Sequence, residues 1–167
     1  SAARLLRPDG VVSLALPDRR YCFDYFKPIT TTGDVLEAHA SGRSRHSLRS
    51  VWNHHAYAIN MDGIGAWGQA PVHRITPMGG FQEAKTVLAG FSDARERPYV
   101  DCHAWILTPA SFELVMLELN GLGILDWHID TLHGPEGCEF FAILRRGTQV
   151  QATAEAFEAQ RTRLLQR

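Results

Sequence analysis

Apolar positions along this chain follow two regular patterns, separated by a long stretch that keeps to neither. Residues 11–16, Val-Val-Ser-Leu-Ala-Leu, form a short and nearly continuous apolar run that ends at Pro17-Asp18. Such a run predicts a strand covered on both faces, as in a parallel sheet. Ahead of it, residues 2–7 read as the last turns of a helix, stopped by Pro8-Asp9-Gly10. Order returns in the last third. Residues 99–107 read as extended, and Thr108 with Pro109 opens a helix whose apolar face is Phe112, Val115, Met116 and Leu119, ended by Gly121 or Gly123. Leu125, Trp127 and Ile129 then alternate with Asp126, His128 and Asp130, a half-buried strand. Residues 133–137 are turn material and 138–145 a second strand, which predicts a hairpin, with a terminal helix over 152–165.

Between these regions, residues 19–100 read as a helical and loop-rich insertion. Thr31-Thr32-Gly33-Asp34 has capping-box spacing and Gly42 is a stop, which predicts a short helix. From Ser47 onward, Leu48, Val51, Trp52, His55 and Ile59 share one helical stripe. Residues 60–71 are glycine-rich and predict a loop, and a further short helix from Phe81 ends at Gly90.

Composition narrows the class without naming an activity. At 167 residues the chain suffices for one domain with a real core. A net charge of −1 argues against a dedicated nucleic-acid binder, and no apolar run has the length of a membrane span. Cys22, Cys102 and Cys138 are odd in number and form no CxxC pair. That speaks against a disulfide framework or a cysteine zinc site, and for a reducing cytoplasm.

The order of elements carries a resemblance. Arg4 to Gly10 (Arg-Leu-Leu-Arg-Pro-Asp-Gly) followed by an apolar strand, His103 to Phe112 (His-Ala-Trp-Ile-Leu-Thr-Pro-Ala-Ser-Phe) opening a helix, a Gly-Leu-Gly-Ile segment and a hairpin resemble the C-terminal half of a class I S-adenosylmethionine-dependent methyltransferase, of the methyltransferase type 11 kind. The likeness covers 1–18 and 101–147. It implies an α/β chain with a partial Rossmann-like methyltransferase fold: 1–18 and 101–167 as the half fold, and 19–100 as a lid or acceptor-site insertion. It further implies a small mixed sheet of strand order 5-7-6, in which the seventh strand is antiparallel to both neighbours. The family's earlier half, with its Gly-rich turn and ribose-binding acidic residue, has no counterpart here, and Gly63-Ile64-Gly65 is a lone GxG. The resemblance therefore implies a piece of a small-molecule methyltransferase that is inactive alone, its S-adenosylmethionine bound by the absent half and no metal required. An assembly or binding module that keeps half of the fold is the alternative. An uncovered strand 11–16, or the insertion, would then pair copies of the chain into a dimer or larger homo-oligomer.

Candidate catalytic residues are His54, His103 and Asp101. A histidine titrates near neutrality and can serve as a general base, and Asp101 and His103 point to one side of an extended segment. Candidate acceptor-binding residues are Asp18, Arg19, Tyr21, Trp52 and His55, with Arg19 and Arg20 suited to an anionic substrate. Plainer readings stand beside these. His55 falls on the apolar stripe as a core histidine with His54 on the helix surface, Asp101 and His103 can simply brace a corner, and Tyr21, Phe23, Tyr25 and Phe26 can pack the insertion onto the sheet. Arg43, Arg45, His46 and Arg49 make a basic patch, and Asp126, His128 and Asp130 share a strand face.

Overall fold

The computed structural model describes residues 4–71, 73–91, 99–147 and 153–167. Strand β1 (Val11–Pro17) leads into a 3-10 turn at Arg19–Tyr21. Helices α1 (Thr32–Ala40) and α2 (Leu48–Tyr57) follow, then short strands β2 (Ile59–Met61) and β3 (Ile75–Pro77) and helix α3 (Phe81–Ala89). Helix α4 (Pro109–Gly121), the hairpin β4 (Trp127–Glu136) and β5 (Glu139–Arg146), and helix α5 (Ala154–Leu165) complete the described chain. No helix among the described residues is long and apolar enough to cross a membrane.

The capping chemistry legible in the sequence sets the helix starts. Thr31 and Thr108 each accept from the backbone N–H three residues on, and Asp34 and Ser111 return the bond to complete capping boxes. Ser47 caps α2 in the same way, and α3 stops at Gly90. Each such cap contributes about 1 kcal/mol.

The core lies between α4 and one face of the sheet. Phe112 and Met116 pack against Phe140, Ala142 and Leu144, with Val12, Leu14 and Leu16 of β1 on the same face. Phe140 has no exposed surface, and its ring centroid lies 5.7 Å from that of Phe112. Burial of a side chain that size stabilises by roughly 1.5–3 kcal/mol. Asn120 fastens the end of α4 to the sheet: its Nδ2 lies 3.0–3.2 Å from the carbonyls of Leu125, Trp127 and Gly147. Helix α5 crosses α4 at Gly121, where a Cβ would stand 2.8 Å from Phe157 Cε2, so only glycine admits that approach.

Several expectations are corrected. The sheet runs β1-β5-β4 and is antiparallel at both pairings, not mixed. No two described strands pair in parallel, and the expected mixed 5-7-6 sheet is not matched. The tight turn at Gly137 (φ +60°) forces β4 and β5 antiparallel, and β1 pairs with β5 alone. β1 is not covered on both faces, since Val11, Ser13 and Ala15 are exposed while Val12, Leu14 and Leu16 face α4. Residues 133–136 belong to β4 rather than to a turn. Residues 99–107 form no strand beyond a single parallel bridge between Asp18 and Leu107. Part of the predicted loop at 60–71 pairs instead, as β2 meets β3 antiparallel. Residues 1–3 of the predicted helix end lie outside the described residues, and residues 4–7 form a turn.

Candidate functional site

The polypeptide leaving β1 turns into a tight segment whose backbone bonds decide what meets what. Tyr25 N–H donates to Cys22 O at 3.0 Å and Lys27 N–H to Asp24 O at 2.8 Å, so Asp24 and Lys27 fall on one side of consecutive turns. Phe23 is held by Gly65 O and by Ile59 N–H. Two further ties draw residues 103–107 against it. Arg19 N–H donates to Leu107 O at 2.9 Å, and Thr30 exchanges bonds with Ile106, its N–H donating to Ile106 O and its Oγ1 accepting from Ile106 N–H, both at 2.8 Å. The outcome is to place His103 over Asp24.

His103 Nδ1 lies 2.6 Å from Asp24 Oδ2. On the other oxygen, Lys27 Nζ sits 2.6 Å from Oδ1 in a close ion pair whose members are 1% and 2% exposed. Lys27 Nζ also lies 3.3 Å from His54 Nδ1 and 4.8 Å from the centroid of the Phe23 ring. Phe23 stacks against His103 at 4.8 Å and meets His54 edge-on at 6.1 Å. A chain His103–Asp24–Lys27–His54 thus wraps one aromatic ring. Residues 4–16 contribute nothing to it.

Burial alone would raise the Asp24 carboxyl, but the hydrogen bonds and charges of His103 and Lys27 outweigh it and hold the group below the ordinary carboxylate value. Asp24 is therefore a carboxylate that only accepts. In its neutral form His103 carries its proton on Nδ1, which puts the lone pair on Nε2, on the far side of the ring. The imidazole is 38% exposed and borders a recess of about 30 Å³, shared with Lys27, Ser50 and Asn53. That space takes a water molecule or a single substrate hydroxyl. His54 is different. Burial first, then the neighbouring Lys27 ammonium, pushes its pKa down to about 4, so it is neutral with Nδ1 accepting and Nε2 protonated. Cys22 donates weakly to Asp24 (Sγ–Oδ2 3.8 Å), and burial pushes its thiol up to about 12, which makes it an inert core residue.

Of the expected catalytic residues, His54 and His103 come together and Asp101 does not join them. Asp101 is exposed and, among the described residues, makes no hydrogen bond or ion pair, because residues 99–103 do not form the extended strand that would align it with His103. Asp24 takes the orienting place instead. Both adjacent histidines are part-buried: His54 turns inward to Lys27, and His55, its side chain 19% exposed, bonds the exposed Glu83 of α3 at 3.2 Å. Trp52 packs edge-on against Phe81 at 6.2 Å and ties α2 to α3. Asp18 is fully buried, caps the 3-10 turn and pairs with Arg20 at 2.6 Å, a structural role. Tyr21 lies under Arg20 and accepts from Trp67 and Gly68 N–H through its carbonyl. Arg19 points to the neighbouring groove beside α4.

Two further groupings resolve into structural pairs. Arg49 pairs with Asp34, Arg43 Nη2 lies 3.8 Å from Glu37, and His46 lies 2.9 Å from the Tyr99 hydroxyl. Asp126 and Asp130 pair with Arg146 and Arg145 of β5. Phe23 entered sequence reasoning only as a packing residue, and Asp24 and Lys27 escaped it. Their signal was an acid and a base three residues apart inside an aromatic run, where neither charge can be solvated.

No protein-family model matches the chain, and neither curated proteins nor solved structures match it.

Gly63-Ile64-Gly65 does not make a cofactor cradle. It forms a tight turn in which Ile64 and Met61 exchange backbone bonds at 2.8 and 2.9 Å, with no helix opening from it. These residues do not fit S-adenosylmethionine. Among the described residues, no three of His, Cys, Asp and Glu converge on a metal position.

Proposed function

We propose that this chain supplies the acceptor side of a small-molecule methyltransferase of partial Rossmann-like fold, with His103 as the general base. The observation that carries the reading is the 2.6 Å bond from His103 to the buried carboxylate of Asp24. It fixes the tautomer, restrains the ring and leaves Nε2 able to take a proton from a substrate O–H or N–H. Lys27 keeps Asp24 ionised, and the neutral His54 offers a hydrogen-bond donor beside it. The site follows the C-terminal end of β1, the end at which the resembling family treats its acceptor, and the Pro-Asp-Gly turn and Thr-Pro helix start support the same reading. Proton removal adds typically 10²–10⁴-fold to a rate.

Transfer of a labelled methyl group from S-adenosylmethionine to hydroxyl- and amine-bearing small molecules, by the full-length gene product, tests this. Labelled product that falls at least about 100-fold in His103→Gln is expected. No labelled product from the unaltered protein contradicts the reading.

One observation favours a second reading, the assembly module. β1 has a single strand neighbour among the described residues, and Val11 on its outer face is 40% exposed. A strand with an open edge invites pairing with another copy. Sedimentation of Val11→Lys against the unaltered chain tests it, with a dimer that this change dissociates as the supporting result.

A further inference from the structure

A groove of about 850 Å³ runs between the start of α1, the start of α4 and the end of α5. Four arginines line it and differ in what they already meet; Arg167 is exposed and pairs with no carboxylate among the described residues. Arg20 is taken up by Asp18, with Nη2 2.6 Å from Oδ2, and Arg161 by Glu118, with Nε 2.6 Å from Oε1. Arg19 donates from Nη2 to the Tyr25 carbonyl and meets no carboxylate among the described residues. Its Nε is shut away from solvent and has no hydrogen-bond partner. The guanidinium borders the groove without a carboxylate partner among the described residues, so its remaining N–H groups are free to pair with an anion there.

The surroundings favour the same ligand. The first turns of α1 and α4 both border the groove, and each presents the positive end of a helix of nine or more residues. Apolar surface is available too: Phe26 is 55% exposed, Ile29 39% and Leu165 58%. Ile29 and Thr30 border both this groove and the recess at His103, so the two spaces share one wall.

We propose that Arg19 anchors an anionic acceptor: a small molecule with a carboxylate or phosphate on an apolar body, whose reactive hydroxyl or amine reaches His103 across Ile29 and Thr30. Placement of the reactive group rests on the acceptor-side reading above; the anion site itself stands on Arg19 and the groove.

Calorimetric titration of the purified chain with phenyl phosphate, phenylacetate and the neutral 2-phenylethanol separates the possibilities. At least one anion binds one-to-one, at least tenfold more tightly than the alcohol, and the stronger of the two identifies the headgroup. Arg19→Gln weakens that anion at least tenfold, whereas Arg20→Gln changes it less than threefold because Asp18 already neutralises Arg20. Arg19→Lys, which keeps the charge and the stem but loses the planar fork, weakens it as well and serves if Arg19→Gln does not fold. An alcohol that binds as tightly as both anions, or anion binding indifferent to Arg19, overturns the inference. His103→Gln leaves anion binding intact. Anion binding without methyl transfer therefore sinks only the acceptor-side reading, and methyl transfer without anion binding sinks only this one.

Discussion

Around β5 the protein buries Phe140, Ala142 and Leu144, while between residues 18 and 30 it buries Asp18, Asp24, Lys27 and Thr30. Phe140 and Lys27 are both among the largest fully buried side chains, so the contrast is one of chemistry and not of depth. An apolar core gains free energy with every contact removed from water. A buried ion pair spends its Coulombic attraction on its own desolvation, and replacing both partners by apolar groups is often neutral. What the second region gains is orientation. Asp24 cannot turn away from His103 without stranding Lys27, so the imidazole is held in one tautomer and one direction. The sheet half gives the chain its stability, and the segment after β1 spends some of it on a fixed histidine.

The largest expected effects set the two regions against each other. Phe140→Ala is expected to cost about 3–5 kcal/mol in urea unfolding, from lost burial plus a cavity. Lys27→Ala is expected to cost less, about 1–3 kcal/mol, for a different reason: the buried Asp24 carboxylate loses its cation and keeps the His103 bond. The double change Asp24→Leu with Lys27→Met separates them. It should restore stability to within about 1 kcal/mol of the unaltered protein while removing the carboxylate that orients His103. A double variant as unstable as Lys27→Ala would mean that the ion pair is a net stabiliser and the contrast is mistaken.

Next in size is His103→Gln, with a rate loss of at least about 100-fold and a stability change of no more than about 1 kcal/mol, since the ring is part-exposed.

Smaller still is the pH response. His54 is held at about 4 in the folded state against an ordinary value of 6.5. Between these values the unfolded chain binds a proton that the folded one does not. Stability is therefore fully present above about pH 6.5 and falls as the pH drops towards 4. Because the ring is only half-buried, solvent screening reduces the loss to about 1–2 kcal/mol. Asp24, lowered by its partners, adds to the same fall below its ordinary value. His54→Gln should flatten the slope between pH 6.5 and 4 in thermal melts.

Asp101→Asn is the smallest, with changes within about 0.5 kcal/mol and no change in rate. A large rate loss there would return the orienting role to Asp101.

Much of the fold was legible because it rests on local chemistry. Thr31 with Asp34, Ser47, Thr108 with Pro109, and Gly90 each mark a helix boundary through a hydrogen bond made within a few residues. The alternation at Leu125, Trp127 and Ile129 marked β4 for the same reason. β2 and β3 were missed because three residues are too few for a period to show, and Ile59 had been absorbed into the stripe of α2. β1 was misread because a continuous apolar run does not tell which face a neighbour covers. The site was half legible. His54 and His103 stood out by residue type, but their partners did not. Asp24 is 79 residues from His103, and only the bonds from Arg19 to Leu107 and from Thr30 to Ile106 bring the two together. Asp101 was the natural choice from sequence because it is near in the chain, and distance along the chain was the wrong guide.

The central claim is that Asp24 fixes His103 with its proton on Nδ1 while burial, aided by Lys27, keeps His54 neutral. Long-range ¹H–¹⁵N correlation spectra of the imidazole nitrogens, recorded from pH 8 to pH 4, report both at once. The account predicts neutral His103 as the Nδ1–H tautomer, and His54 as the Nε2–H tautomer that stays neutral until the pH nears 4. His103 as the Nε2–H tautomer, or His54 titrating near 6.5, would contradict it.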